Sequence, residues 1–184
     1  MGLLDNFIPD EIVRSVSDVN LDELEDSGIR GLLIDVDNTL ISHGSLEMTP
    51  DRLAWAEEAM RRFSTCLVSN SVRGKRVRHI CEHLGCEGIA VWTWDRKPFR
   101  GGIRRALRLT GTQPQETAMI GDQLLTDVLG GNRAGLQTIW VEKIYEREFI
   151  FTRHVQRRIE SWLVRRLELK PEWTREGATT RDEA

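Results

Sequence analysis

The chain has 184 residues, which is enough for one α/β domain with a sizeable core and short extensions. Hydrophobic residues at 40% and charged residues at 30% place it among ordinary globular proteins and argue against a disordered or membrane-embedded chain. The net charge of -3 does not indicate a nucleic-acid partner, and nothing in the composition indicates an oligomeric state.

The amino-terminal residues and the cysteines indicate the compartment in which the protein works. The stretch "MGLLDNFIPDEIV" carries acids where a secretory signal would carry lysine or arginine, and no apolar run is long enough to cross a bilayer. Cys66, Cys81 and Cys86 are odd in number and lack CxxC spacing, which predicts reduced, mostly buried thiols and no disulfide framework. We therefore expect a cytoplasmic protein, with the inner face of the membrane as a candidate peripheral site.

Residues 1–30 form the first predicted segment. They are acidic, and apolar residues recur at fourfold spacing at Leu4, Ile8, Ile12 and Val16. This spacing is typical of an amphipathic helix. We predict an N-terminal helical extension that precedes the main domain.

Residues 31–142 form the predicted core, in which short apolar runs alternate with longer helical patterns. Strand and helix alternate five times, from "GLLIDV" to "LQTIWVE". Because parallel strands need a crossover to return, this alternation predicts a Rossmann-like α/β three-layer sandwich with helices on both faces of the sheet. We expect five parallel strands in the order 3-2-1-4-5. Thr49 before Pro50, and Lys97 before Pro98, mark two helix starts.

The carboxyl-terminal part has two predicted segments. Residues 143–170 hold a basic amphipathic helix from about Thr152, and residues 171–184 are polar and expected to be disordered. The helix is expected to pack its apolar side on the core and to leave its arginines in solvent. The alternative is that its basic face, with Phe149, Phe151 and Trp162 nearby, docks on an anionic bilayer.

The stretch "HICEHLGC" raises the possibility of a zinc site. On a helix, His79 and His83 share a face, but Cys81 points away from it, and Cys86 follows the helix. Ile80 and Leu84 give the same stretch an apolar stripe. An ordinary amphipathic helix is the favoured interpretation, and metal binding by this cluster remains open.

Polar residues follow four of the predicted strands. The first strand ends at Asp35, the second at Ser69 and the fourth at Asp122, while Lys97 follows the third. In an open parallel sheet ligands bind at this edge, and strands one and four are neighbours in the 3-2-1-4-5 order. Asp35 and Asp122 should therefore face each other, where repulsion and desolvation favour a hard cation between them. Mg²⁺ fits best.

The two acids of "DVDNT" can divide the chemistry of phosphate transfer between them. With the cation offsetting repulsion, Asp35 can attack phosphorus as a nucleophile. Asp37 can protonate the leaving oxygen and later take a proton from water. Taken alone, such acids are common in turns, but their joint order with the other strand-end residues predicts hydrolysis through an aspartyl-phosphate.

The remaining polar residues hold the phosphate, the metal and the loop. Ser69 and Asn70 are predicted to bind phosphate through hydrogen bonds, and Lys97 through its charge. Asp127 can support the metal directly or through another ligand, and Thr39 is expected to brace the loop. Four carboxylates form the predicted metal set: Asp35, Asp37, Asp122 and, in support, Asp127.

These residues resemble the motifs of haloacid dehalogenase-like phosphatases, which look like "DVDNT", "VSNS", "KP" and "GDQLLTD" here. More narrowly, "DVDNTLI" with "GDQLLTDVLGGNRAG" is similar to the YqeG group of type III phosphatases, which is related to phosphatidylglycerophosphate phosphatases. The resemblance implies a magnesium-dependent phosphomonoesterase with Asp35 as nucleophile, Asp37 as acid/base, and Asp122 on the metal. It also implies that Ser69 and Lys97 hold phosphate. The residues "WDR" before Lys97 depart from the smaller residues expected there.

The spacing of the motifs leaves no room for a cap domain. Only one crossover fits between Thr39 and Ser69, and only one between Ser69 and Lys97. The site should be open and should admit a bulky phosphorylated substrate, including a lipid headgroup at the membrane surface. Among the candidate substrates we expect phosphatidylglycerophosphate, whose hydrolysis gives phosphatidylglycerol and phosphate. The alternatives are a small soluble phosphometabolite, the ends of proteins or nucleic acids, and a non-enzymatic binding module switched by phosphorylation.

Overall fold

The computed structural model describes residues 4–42, 47–70, 74–90, 98, 100–142 and 154–169. The strands in these residues are β1 Glu11–Val13, β2 Gly31–Ile34, β3 Ser64–Ser69, β4 Glu87–Ala90, β5 Thr117–Gly121 and β6 Gln137–Val141. They form one sheet in the order β1-β6-β5-β2-β3-β4, and every neighbouring pair is parallel.

Helices connect and cover these strands. The α-helices are α1 Leu21–Asp26, α2 Pro50–Arg62, α3 Gly74–Leu84, α4 Arg100–Thr110, α5 Leu129–Ala134 and α6 His154–Arg166. A π-helical turn, Leu124–Val128, lies between β5 and α5. Helices therefore alternate with strands from β2 to β6, as predicted.

The central strand β2 is apolar throughout because the sheet is covered on both faces. Every residue of β2 is buried, and alternate side chains point to opposite sides. Leu32 belongs to the hydrophobic cluster that contains Trp55 of α2. Leu33 belongs to a second cluster that contains Ile103 of α4 and Met119 of β5. These two clusters define the three-layer Rossmann-like arrangement, and the prediction of this fold class is confirmed.

The predicted count of five strands is wrong, because the sheet has a sixth strand in the described residues. Glu11–Val13 pairs with β6, so the full strand order differs from the predicted 3-2-1-4-5. The five predicted strands keep their relative order, with β2 between β3 and β5. A three-residue strand is too short to show the alternating pattern by which strands are found in a sequence.

The amino-terminal segment also differs from the predicted helical extension. Val16 is fully buried in the same cluster as β2, and the indole N–H of Trp55 donates to the carbonyl oxygen of Val19 at 3.0 Å. Ile8, which the fourfold spacing placed on an apolar face, is 44% exposed. The fourfold spacing does not mark one helix face, because Leu4 and Ile12 pack on the cluster of Leu124 and Val128, whereas Val16 packs in the cluster that contains Trp55 of α2.

The last described helix, α6, packs against the π-helical turn. Leu163 is 2% exposed and forms a cluster with Leu124 and Val128 of that turn and with Leu169. In the described part of the chain every helix is too short or too polar to traverse a bilayer. Residues 171–184, predicted to be disordered, lie outside the described residues.

Two adjacent glycines of α5 test how closely this helix lies on the sheet. A Cβ at Gly131 would come within 2.5 Å of Thr138 Cγ2 and 3.1 Å of Met119 Cβ. Alanine normally stabilises a helix relative to glycine by about 1 kcal/mol, but overpacking costs about 1–3 kcal/mol. We expect Gly131→Ala to lower the free energy of unfolding, measured by urea denaturation.

Gly130→Ala is the matched control for this substitution. Its Cβ would meet only the end of the Ile103 side chain, at 3.1 Å, and the Pro98 backbone at 3.4 Å. We expect a smaller loss of stability than for Gly131→Ala. The terminal methyl group of Ile103 can move more easily than Thr138 Cγ2 and Met119 Cβ, which lie next to the backbone of the sheet. Equal stability of the two variants would contradict the close approach of α5 to β5 and β6.

Candidate active site

The order of the strands brings distant acids to one edge of the sheet. Ile34 of β2 pairs with Ile120 of β5, and the amide of Asp35 donates to the carbonyl oxygen of Ile120 at 2.9 Å. Asp122 follows β5 directly. Because β2 and β5 are parallel neighbours, Asp35 and Asp122 leave the sheet side by side at its carboxyl end.

A compact cluster of carboxylates forms at this edge. Asp35, Asp122 and Asp127 each offer one oxygen, and these oxygens all lie within 4.8 Å of one another. The three residues are 4%, 1% and 1% exposed, respectively. Like charges at such a distance repel by roughly 3 kcal/mol per pair at the effective dielectric of protein sites. The cluster therefore requires a compensating positive charge or protonation.

The π-helical turn positions Asp127 in this cluster. Its Oδ2 accepts a hydrogen bond from the amide of Gln123 at 3.1 Å, and its Oδ1 accepts one from the hydroxyl of Thr126 at 3.3 Å. The wide turn also directs the amides of Asp127 and Val128 to the carbonyl oxygen of Gln123. Such turns within helices are often found at functional sites.

Gly121 and Trp140 support the cluster, and neither was predicted as a site residue. A Cβ at Gly121 would lie 2.3 Å from Asp127 Oδ2, so only glycine leaves room for that carboxylate. The indole N–H of Trp140 donates to the carbonyl oxygen of Asp122 at 3.0 Å. The adjacency of Gly121 to Asp122 was a usable signal in the sequence, whereas Trp140 lies 18 residues away on β6.

The loop after β2 carries the second acid of the motif. Asn38 has a φ of 65°, a left-handed conformation that asparagine tolerates better than most residues. Its amide donates to the carbonyl oxygen of Ile41 at 2.7 Å, which closes the loop. Thr39, predicted to brace the loop, is fully buried, and its hydroxyl has no hydrogen-bond partner in the described residues. In this structure Thr39 therefore supports the loop by packing.

Ser69, the last residue of β3, links that strand to the loop after β2. It is 1% exposed, and its hydroxyl donates to Asp37 Oδ2 at 3.4 Å. Asp37 itself is half-buried, and Asn70 follows Ser69 at the end of β3 with an intermediate exposure. The structure thus brings Ser69, Asn70 and Asp37 to the edge at which the cluster lies. Lys97 falls outside the described residues.

The donor set of the cluster fits a hard divalent cation. Carboxylate oxygens are the ligands that Mg²⁺ prefers, and two or three of them would balance its charge. Asp35, Asp122 and Asp127 form the only such group of three or more acidic, histidine or cysteine side chains that the described residues contain. Asp37 is not one of its members.

The histidine and cysteine cluster of "HICEHLGC" does not form a second metal site in the described residues. His79 and His83 are exposed on α3, whereas Cys81 is buried against the sheet. The side chains are therefore separated as an amphipathic helix requires. This arrangement agrees with the favoured interpretation of that stretch.

Comparisons with known proteins find phosphatases among the relatives of this chain. A family model for HAD-hydrolase-like proteins matches residues 94–145. The probable phosphatase YqeG of Bacillus subtilis is 37% identical over 164 residues, which cover 87% of this chain and 93% of that protein. Phosphatidylglycerophosphate phosphatase 1 of Arabidopsis thaliana is 28% identical over 92% of this chain but only 49% of its own length.

A solved structure supports the fold independently. An uncharacterized protein from Listeria monocytogenes aligns with a TM-score of 0.50 and 17% identity, over 67% of this chain and 87% of that one. The sheet, its acidic edge and these matches define a phosphatase of the haloacid dehalogenase-like class. Within that class, the identity to the Bacillus protein over nearly its whole length shows that the chain belongs to the YqeG family.

Gly121→Ala tests whether the packing around Asp127 forms the metal site. The added methyl group would occupy the position of the Asp127 carboxylate and displace it from the cluster. Changes to groups that orient metal ligands typically cost about 10–100-fold in affinity, so we expect a loss of that size in Mg²⁺ affinity, measured by titration calorimetry.

Asp127→Asn is the comparison variant for this measurement. It keeps the side-chain volume and removes the charge, so its Mg²⁺ affinity should fall as well. Thermal unfolding of both variants shows whether the fold is intact. A folded Gly121→Ala protein that binds Mg²⁺ as tightly as the wild type would contradict the assignment of Asp127 to the metal site.

Proposed function

We propose that this phosphatase is a magnesium-dependent phosphomonoester hydrolase that acts through an aspartyl-phosphate at Asp35. One observation supports this proposal above all. Asp35 belongs to a buried cluster of three carboxylates, and a further acid, Asp37, lies two residues along the chain and outside that cluster. The arrangement provides one carboxylate beside the cation and another that is available for proton transfer.

Asp35, Asp122 and Asp127 would hold the Mg²⁺ ion in this proposal. When bound, the ion neutralises negative charge on the phosphoryl oxygens and on the attacking carboxylate. Asp35 leaves β2 with its backbone fixed by the hydrogen bond to Ile120, so its carboxylate has a defined position. Such positioning is a large part of catalysis in phosphoryl transfer.

The reaction has two steps, formation of the aspartyl-phosphate and its hydrolysis, and both use Asp35 and Asp37. Asp35 attacks phosphorus while Asp37 donates a proton to the leaving oxygen. Asp37 then takes a proton from the water that attacks the aspartyl-phosphate, which releases phosphate and restores Asp35. The hydroxyl of Ser69, at 3.4 Å from Asp37 Oδ2, orients this acid and lies close enough to the loop to assist phosphate binding together with Asn70. We assign to Lys97, which lies outside the described residues, the positive charge that neutralises the phosphoryl oxygens.

The non-enzymatic alternative is disfavoured because the chain belongs to a family of phosphatases. A binding module would need a long-lived aspartyl-phosphate. An acid beside the nucleophile has the opposite effect, because it speeds hydrolysis of that intermediate.

Phosphatidylglycerophosphate is the substrate that we propose. The relative from Arabidopsis thaliana is named a phosphatidylglycerophosphate phosphatase, and its similarity spans 92% of this chain. Between β2 and β3 the described residues hold one helix, α2, which belongs to the layer covering the sheet. This arrangement favours an open site that a headgroup in a bilayer can approach. A small soluble phosphometabolite and the phosphorylated ends of proteins or nucleic acids are the alternatives.

The exposed face of α6 supports a membrane-borne substrate. Ile159 is 43% exposed and Trp162 is 54% exposed, although both are large apolar side chains. Three arginines on the same helix are also exposed: Arg158, Arg165 and Arg166. Apolar and aromatic side chains among arginines suit the interface of an anionic bilayer, where each arginine contributes about 1 kcal/mol. We propose that this face contacts the anionic membrane surface.

Substitution of the two acids tests the mechanism. Asp35→Asn removes the nucleophile, and we expect phosphate release from an aryl phosphate to fall by about 10³-fold or more. Asp37→Asn keeps the nucleophile but removes the acid/base group, which typically contributes about 10²–10⁴-fold. Because a good aryl leaving group needs little protonation, this variant should accumulate the phosphoenzyme. The measurement is phosphate release with Mg²⁺, together with acid-stable labelling by a ³²P-labelled substrate.

The labelling separates the two roles. Label should appear on Asp37→Asn and be absent from Asp35→Asn. Turnover by folded Asp35→Asn at the wild-type rate would refute the proposed nucleophile.

A substrate panel tests the lipid assignment separately from the mechanism. The wild-type protein is assayed with phosphatidylglycerophosphate in anionic mixed micelles, with sugar phosphates and with phosphopeptides. We expect kcat/KM to be highest for the lipid, since an open site gives a small phosphate little to bind. Higher activity on a soluble phosphate than on the lipid would overturn the substrate and leave the aspartyl-phosphate mechanism intact.

Trp162→Ser examines the role of α6 in the same assay. This variant should lose activity on the micellar lipid through a higher KM, while its activity on a soluble aryl phosphate stays unchanged. Ser161→Ala, an exposed position on the same helix, is the matched control and should behave as the wild type. An unchanged KM for the lipid in Trp162→Ser would exclude this face as the membrane contact.

A further inference from the structure

Two of the three cysteines of the chain lie close together beside the outer edge of the sheet. Cys81 lies near the end of α3, and Cys86 precedes β4. Cys66 lies in β3 and packs in the cluster on the α4 side of the sheet, whereas Cys81 and Cys86 belong to the cluster on the α2 side. None of these residues belongs to the carboxylate cluster. The phosphatase chemistry therefore does not account for this grouping.

Two of these cysteines come together at the end of α3. The amide of Cys86 donates to the carbonyl oxygen of Cys81 at 3.1 Å across the end of this helix. Both residues line one cavity. Gly85, with a φ of 66°, supplies the left-handed residue that this helix-terminating turn requires.

The surroundings of Cys81 and Cys86 leave room for their sulfur atoms and allow access from a cavity. A Cβ at Gly88 would lie 2.2 Å from Cys81 Sγ, so the glycine leaves the space that this sulfur occupies. A cavity of about 510 Å³ is lined by Cys81, Cys86 and Gly88, together with Arg78 and Arg105. Cys81 is 8% exposed, and Cys86 is more accessible. A small polar oxidant can therefore reach the sulfur atoms.

The electrostatic environment distinguishes the three thiols. A hydrogen bond from Cys86 lowers the pKa of Cys81. The same hydrogen bond, together with burial, raises the pKa of Cys86. Burial raises the pKa of the Cys66 thiol to about 12. Since the thiolate is the reactive form, these directions favour Cys81 as the attacking thiol of the pair and disfavour reaction at Cys66.

We propose that Cys81 and Cys86 form a redox modification site at which a peroxide produces a reversible disulfide. The sulfur of Cys81 attacks one peroxide oxygen, the O–O bond breaks, and the other oxygen leaves as water, which gives a sulfenic acid at Cys81. The sulfur of Cys86 then displaces hydroxide from Cys81, which forms the S–S bond and releases a second water. Two thiols are oxidised and one hydrogen peroxide is reduced to two waters. A thiol reductant reverses the change by exchange.

This disulfide would fasten the end of α3 to the start of β4. Those two elements flank β3, whose last residue, Ser69, contacts Asp37. The modification site is thus separate from the carboxylate cluster but lies in the half of the sheet that supports the acid/base residue. The proposed disulfide rests on the positions of the cysteines and does not depend on the proposed substrate.

Peptide mass spectrometry on the full-length protein tests the proposal. Trypsin cleavage places Cys81 and Cys86 together in the peptide 79–96 and Cys66 in the separate peptide 63–73. After dilute hydrogen peroxide and alkylation, peptide 79–96 should become about 2 Da lighter than its dithiol form and resist alkylation until it is reduced. Cys66 should lose its free thiol at least about tenfold more slowly.

Two variants identify the steps. Cys86→Ser removes the second thiol, so a dimedone adduct should accumulate on Cys81. Cys81→Ser should leave Cys86 alkylatable after the same treatment. If Cys81 and Cys86 of the wild type stay fully alkylatable, or if Cys66 is oxidised as fast as they are, the site does not exist as proposed. Because the wild-type protein carries the main measurement, a folding defect in either variant does not affect this outcome.

Discussion

The structure depends on holding three carboxylates of the same charge within one buried cluster. Asp35, Asp122 and Asp127 come from two strand ends and one turn, and their oxygens lie within 4.8 Å of one another. Such a cluster is unfavourable by itself, because repulsion and desolvation both oppose it. A divalent cation reverses the sign of this energy. The fold must therefore hold the three acids in place against their mutual repulsion.

Several otherwise unrelated features contribute to this positioning. The parallel pairing of β2 with β5 sets the first two acids side by side. The absence of a side chain at Gly121 leaves room for the third, and the indole of Trp140 holds the backbone of Asp122. The terminal segments contribute as well, since α6 and the amino-terminal residues Leu4 and Phe7 pack on the turn that carries Asp127. Segments that look peripheral in the sequence thus support the centre of the site.

The second acid of the motif has a different environment from the cluster. Asp37 stands in a loop that a left-handed Asn38 reverses, and it is half-buried, whereas the cluster is buried. This access suits the acid/base role that we propose for Asp37, because such a group exchanges protons with water and with a leaving oxygen. One strand end and the tight loop after it thus place Asp35 and Asp37 in different environments.

The sequence alone determined the fold class, and it also singled out the acids that the structure gathers at one edge of the sheet. Continuous apolar runs such as "GLLI" identify buried parallel strands, and polar residues at the ends of those strands identify the functional edge, because both patterns are local in the chain. The sequence did not predict β1, whose three residues are too few for a pattern, or the support from Trp140.

Only the tertiary structure decided which acids share the cluster. It includes Asp127, which was predicted only in support, and it leaves out Asp37. The turn that brings Cys86 back to Cys81 at the end of α3 was also hidden in the sequence. Such relations depend on distances between side chains from separate elements. These distances arise from the pairing of strands and from the widening of one helical turn, and local sequence patterns do not encode them.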